Sequence, residues 1–202
     1  MKKGLLTDFG GVLTTNVFDS FKAFCEAEGL PPDTVKRTFR ENPAALAELR
    51  ALERGDLTVE EFEPRFAPHL GLTQTVGLVE RLFAGVGPDH AMIEAVRRAH
   101  EAGVLTGVIS NSWGGTSYDV ADWRDLFDAI VISGEVGLHK PGPEIFELTL
   151  REIGLPASEC VFIDDLRENI AGAEAVGIAG ILHRGADTTL PELERLLGLE
   201  LG

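Results

Sequence analysis

Gly4-Leu5-Leu6-Thr7-Asp8-Phe9-Gly10-Gly11 begins as a short apolar run and stops on an acid and two glycines. Four more runs of this kind follow, at Val104–Ile109, Ala129–Ile132, Cys160–Ile163 and Ile178–Leu182. Runs this short and this apolar, bounded by Gly, Asp or Ser, read as strands buried on both faces. Helical patterns separate the later ones. In Pro88–Ala102 the apolar Met92, Ala95, Val96 and Ala99 recur at helical spacing and Gly103 ends the pattern; Pro143–Ile153 and Asn169–Val176 behave alike. Thr189-Leu190-Pro191-Glu192 has the form of a capping box and predicts a last helix running from there through Leu197. Alternating strands and helices, with strands apolar throughout, predict an α/β fold built on a parallel sheet covered on both faces.

One segment breaks the alternation. Between about Thr14 and Gly85 the chain reads as helices only, at Phe18–Ala27, Pro32–Arg40, Ala44–Glu53, Val59–Phe66 and Val76–Phe83, with a turn at Arg54-Gly55-Asp56. Residues 1–13 and 86–202 are therefore expected to form an α/β core, and residues 14–85 a helical insertion after the first strand. The insertion holds eight of the 18 Lys and Arg residues, most of them read as solvated helix faces, with at most one or two facing a ligand.

Composition narrows the partners. The 202 residues carry 18 Lys+Arg against 33 Asp+Glu, a formal charge of −15, which argues against nucleic acid or an anionic membrane as a non-specific partner. No segment reaches the roughly 20 apolar residues of a membrane span. Met1-Lys2-Lys3-Gly4-Leu5-Leu6 imitates the start of a signal peptide, but Asp8 ends its apolar stretch too early. Cys25 and Cys160 cannot build a disulfide framework and fit a reducing compartment, so the expected location is cytoplasmic. No His/Cys cluster suggests zinc.

Ligands of parallel α/β sheets bind beyond the carboxyl ends of the strands. The first strand leads into Asp8, the second into Ser110-Asn111, the third into His139-Lys140-Pro141 and the fourth into Asp164-Asp165. Each has a bland reading: Asp8 shapes a turn, Ser110 or Asp165 caps a helix, Lys140 is a surface lysine. Capping does not explain their joint appearance at matching strand ends. Three neighbouring carboxylates repel unless protonated or neutralised, and a hard divalent cation with oxygen ligands, Mg²⁺ first, resolves the conflict.

Asp8-Phe9-Gly10-Gly11-Val12-Leu13-Thr14, Val108-Ile109-Ser110-Asn111, Lys140-Pro141 and Val161-Phe162-Ile163-Asp164-Asp165 resemble, in order, the four motifs of the haloacid dehalogenase superfamily. From Thr106 onward the chain is similar to the N-terminal phosphatase domain of soluble epoxide hydrolases. The resemblance implies a Rossmann-like core, and it makes the helical insertion a cap. It implies a Mg²⁺-dependent phosphatase of a small phosphorylated metabolite, with lipid phosphates a further possibility. Asp8 is then the nucleophile, and Ser110 and the Asn111 backbone N–H hold a phosphoryl oxygen. Lys140 offsets the charge that builds up as carboxylate and phosphate meet. The metal ligands implied are Asp8, the Gly10 carbonyl and Asp165, with Asp164 acting through water or as an orienting group. Trp113, Gly114 and Gly115 are read as lining the entrance, with packing the alternative for Trp113.

The sequence departs from the family pattern at Gly10, where most phosphatases of the superfamily have a second aspartate as general acid and base. Loss of such a group typically costs roughly 10²–10⁴ in rate. The expected substrates are therefore esters with good leaving groups, such as acyl or anomeric phosphates, unless Thr14, Asn16 or Asp19 substitutes. Two competing readings are a metal-independent 2-haloacid dehalogenase and a phospho-ligand or partner-binding protein without turnover. The sequence assigns no oligomeric state.

Overall fold

The computed structural model describes residues 1–114 and 124–202. In chain order it contains β1 (Gly4–Thr7), α1 (Val17–Ala27), α2 (Thr34–Glu41), α3 (Pro43–Glu53), α4 (Val59–Phe66), α5 (Leu78–Phe83) and α6 (His90–Glu101). There follow β2 (Leu105–Ser110), β3 (Ala129–Ile132), α7 (Ser133–Val136), α8 (Pro143–Ile153), β4 (Cys160–Asp164), α9 (Arg167–Ala175), β5 (Ala179–Leu182) and α10 (Ala186–Leu197). Among the described residues the strands form one parallel sheet in the order β3-β2-β1-β4-β5. β1 lies at its centre, and the ladder continues past it through the Asp8 N–H, which donates to the Ile163 carbonyl at 2.8 Å. The C-terminal ends of β1, β2 and β4 therefore lie side by side.

The strands carry apolar side chains on both faces because successive side chains enter different cores. Leu5, Val108, Val161 and Ile163 pack with Met92 and Val96 of α6 and with Leu193 and Leu197 of α10. Leu6, Ile109 and Phe162 face the other way, toward Ile145 and Phe146 of α8 and Ile170 of α9. Burying one such side chain contributes about 1.5–3 kcal/mol, so both faces hold the sheet.

The insertion has an apolar cluster of its own, built from Phe21 and Phe24 of α1, Val35 of α2, Leu49 and Leu52 of α3, Phe62 and Phe66 of α4 and Leu78 and Leu82 of α5. Its two ends run next to each other. Thr14 and Pro88 form an antiparallel bridge, the Thr15 N–H donates to the Gly87 carbonyl at 2.7 Å, and the Asp89 N–H donates to the Leu13 carbonyl at 2.9 Å.

The last helix corrects the sequence reading. It begins at Ala186, and Pro191 lies inside it. Thr189 is buried within the helix, its hydroxyl paired with His183 Nδ1 at 2.9 Å, so it is unavailable as a helix cap. The two cysteines are buried and unpaired, and burial pushes the Cys160 thiol up to about 11. No helix among the described residues is long and apolar enough to cross a membrane.

Candidate active site

Asp8, the first residue beyond β1, is 8% exposed. Its Oδ1 accepts the Phe9 N–H at 2.6 Å and lies 2.8 Å from Lys140 Nζ. Lys140 is 2% exposed, which removes its reading as a surface lysine, and the same ammonium lies 2.7 Å from Asp164 Oδ2. Asp164 ends β4 and is fully buried. Its Oδ1 also accepts the Leu166 N–H at 2.8 Å, and the Asn169 amide donates to Oδ1 and Oδ2 at 3.1 and 3.0 Å. Both oxygens of Asp164 are thus engaged, and the residue fixes Lys140 and the turn into α9.

Asp165 has no part in capping α9, whose N-cap residue is Leu166. Carboxylate oxygens of Asp8, Asp164 and Asp165 come within 4.8 Å of one another. One ammonium thus faces three carboxylates. Burial pushes the Asp8 carboxyl well above the usual carboxylate range against the pull of Lys140, and the charges of Asp164 and Asp165 add to the rise. Asp165 is pushed up to about 6, first by burial and then by Asp164. Burial alone would lower the Lys140 pKa, but Asp164 and Asp8 more than offset it and keep the ammonium charged. Oxygen donors crowded beyond what one lysine neutralises fit a hard divalent cation such as Mg²⁺. Asp8 and Asp165, with Asp164 beside them, are the side chains that would hold it.

Glycine is required at position 11 and not at position 10. Gly11 has φ 75°, and a Cβ there would stand 2.8 Å from Asp165 Oδ2. At Gly10 a Cβ would meet only Val17 Cγ2, at 3.4 Å, an ordinary contact. Backbone geometry therefore does not explain the missing acid. The polar residues close by in sequence are engaged or turned outward. Thr14 Oγ1 accepts the Gly11 N–H and donates to the Thr15 carbonyl, Asn16 caps α1 through the Phe18 N–H, and Asp19 is exposed.

Ser110 ends β2 and is 2% exposed. The Asn111 side chain has a role the sequence did not suggest. Its Oδ1 accepts the Lys140 N–H at 2.9 Å and its Nδ2 donates to the Lys140 carbonyl at 3.1 Å, so the second motif clamps the backbone of the third. Asn169, which holds Asp164, was likewise missed. Its position five residues after Asp164, on the first turn of α9, is the signal that was available.

Trp113 resolves in favour of packing. Its indole sits among Phe21, Phe39, Phe62 and Phe83 of the insertion, with centroids 5.2–6.1 Å away. A Cβ at Gly114 (φ 99°) would stand 2.2 Å from Val59 Cγ2, so α4 lies directly on this loop. Gly115 lies outside the described residues. Trp113→Ala is expected to lower stability by about 3 kcal/mol in urea unfolding, since it empties an aromatic pocket shared by both parts of the chain.

Glu53, at the C-terminus of α3, was not singled out by the sequence. Burial lifts its carboxyl to about 7 against the opposing pull of Lys140, Arg50 and Arg54. A carboxyl with a raised folded-state pKa binds more protons folded than unfolded. Its contribution to stability is therefore complete below about 4.5 and is lost as pH rises through about 7. Glu53→Gln is expected to match the wild type near pH 4.5 and to exceed it by up to about 3 kcal/mol at pH 8, read from urea midpoints across that range.

A family model described as haloacid dehalogenase-like hydrolase matches residues 2–177. Mouse acyl-CoA dehydrogenase family member 10 is 28% identical over 98% of this chain, and bifunctional epoxide hydrolase 2 of Sus scrofa is 31% identical over 56% of it. The chain spans about a fifth of the length of these two relatives, the matches covering 19% and 22% of them. The sesquiterpene phosphatase astK of Aspergillus oryzae is 28% identical over 72% of this chain and 77% of its own. Among solved structures, a HAD-like family hydrolase of Porphyromonas gingivalis superposes with a TM-score of 0.71 at 22% identity, over 98% of both chains. The HAD family enzyme bt-2542 of Bacteroides thetaiotaomicron, in complex with magnesium and inorganic phosphate, gives 0.65 at 21% identity, over 90% of this chain and 93% of its own. With its parallel sheet, its four motifs in order and a family match over most of its length, the chain belongs to the haloacid dehalogenase-like hydrolases.

Proposed function

We propose that this protein is a Mg²⁺-dependent phosphatase of small phosphorylated metabolites that carries the phosphoryl group on Asp8. The observation that supports this most is the Lys140 ammonium held between Asp8 and Asp164, with Asp165 completing a trio of carboxylates within 4.8 Å. A dehalogenase working without metal has no use for the extra carboxylates, and a mere binder has none for a nucleophile set against lysine. The name of the Aspergillus relative and the magnesium and phosphate bound by the Bacteroides enzyme support the same reading.

Asp8 attacks phosphorus, the bond to the leaving oxygen breaks, and water then hydrolyses the aspartyl phosphate. Lys140 neutralises charge as two anions approach, while Ser110 and the Asn111 N–H hold a phosphoryl oxygen. A divalent cation held by Asp8 and Asp165 would supply positive charge to the phosphoryl oxygens. The helical insertion acts as a cap that excludes water and bulky substrates. Gly10 itself has no side chain to give a proton to the leaving oxygen.

The test is phosphate release from p-nitrophenyl phosphate, expected to require Mg²⁺ and to stop on addition of EDTA. Chloride released from a 2-haloacid in EDTA, with no phosphate released in Mg²⁺, would overturn the reading.

A further inference from the structure

Glu53 is anchored against the site by its backbone. Ser133 Oγ donates to the Glu53 carbonyl, and the same hydroxyl accepts the Ser112 N–H at 2.8 Å. Two residues on, Gly55 (φ 77°) passes so close to the core that a Cβ would stand 2.6 Å from the Gly134 carbonyl oxygen. The end of α3 is thereby tied to the loop of Ser110 and Asn111, and Asn111 is tied in turn to Lys140.

The carboxyl is within the field of the same site. Arg54 is adjacent to Glu53 in sequence and Arg50 lies one helical turn before it, yet the charge acting most strongly on the Glu53 carboxyl is the ammonium of Lys140. Lys140 is buried against Asp8, so a Glu53 carboxyl that feels its charge lies within electrostatic reach of the nucleophile's pocket.

We propose that Glu53, reaching over from the insertion, is the general acid and base of the reaction, in the role Gly10 leaves empty. This rests on the phosphatase reading above. As the bond from phosphorus to the leaving oxygen breaks, its electron pair stays on that oxygen, which takes the proton of the Glu53 carboxyl. The carboxylate so formed then takes a proton from water as the water oxygen bonds to phosphorus. The bond between phosphorus and Asp8 breaks, which restores the Asp8 carboxylate, the Glu53 acid and free phosphate. A carboxyl titrating at about 7 is suited to both transfers near neutral pH.

The experiment follows kcat and KM with Mg²⁺ over a series from 2,4-dinitrophenyl phosphate to alkyl phosphates, for wild type, Glu53→Gln and the double variant Gly10→Asp/Glu53→Gln. In the wild type, turnover should depend only weakly on the leaving-group pKa. Glu53→Gln should lose roughly 10²–10⁴-fold in kcat on alkyl esters. It should keep its KM and its first-turnover burst of dinitrophenol, a leaving group that needs no proton. The double variant should regain alkyl-ester turnover, because position 10 has room for the side chain. Unchanged alkyl turnover in Glu53→Gln, or an equal loss on every ester including the burst, would overturn the proposal and leave the phosphatase reading standing. So would a steep leaving-group dependence in the wild type, which needs no variant to fold. A wild type that releases phosphate from no ester overturns both.

Discussion

Asp8→Asn is expected to stop phosphate release, lowering kcat by at least about four orders of magnitude, because a neutral amide cannot form the covalent intermediate. Its effect on stability should be small. Lys140 keeps Asp164 at 2.7 Å, and the substitution removes one of three carboxylates crowded around one ammonium. Asp8 already resists ionisation through burial, so the folded state gives up little when that charge is deleted. The measurements are phosphate release and the urea midpoint of the same preparation. Lost turnover with an intact midpoint supports Asp8 as the nucleophile, whereas retained turnover refutes that role.

Lys140→Met should reverse the balance and damage both properties. Asp8 and Asp164 would face each other with their shared cation gone, and breaking a buried pair by removing one partner typically costs about 3–5 kcal/mol. Methionine fills much of the lysine stem's volume, so the loss measures charge more than packing. Protonation relieves uncompensated carboxylates, so the deficit against wild type should shrink as pH falls. Phosphate release should fall with stability, since nothing then offsets the meeting of carboxylate and phosphate. A variant as stable as wild type at pH 7 would show that the three acids tolerate one another without the lysine.

The sheet was legible in the sequence because parallel strands covered on both faces leave continuous apolar runs, and Leu5-Leu6, Val108-Ile109 and Val161-Phe162-Ile163 are such runs. The residues at strand ends were legible for a related reason: a strand's carboxyl end is marked by the first polar residue after the run. What stayed hidden depends on partners distant along the chain. Nothing around Asn111 announces that its amide clasps a backbone 29 residues later, and nothing in Ala44–Glu53 marks its last carboxyl as lying within the field of a lysine far beyond it. Thr189-Leu190-Pro191-Glu192 misled because local pattern alone cannot tell a capping hydroxyl from one engaged by His183.

The attachments of the insertion have a mechanical consequence. The paired crossings at Thr14 and Pro88 act as a neck, the Trp113 indole as a second footing and the Glu53–Ser133 hydrogen bond as a third. A body pinned at one point swings and at two points rocks; a third point off that line arrests it. The hydrogen bond is the weakest footing, at about 1 kcal/mol. Rocking about the other two therefore begins by lifting the end of α3 from Ser133, so the movement that admits solvent also carries Glu53 away from the core.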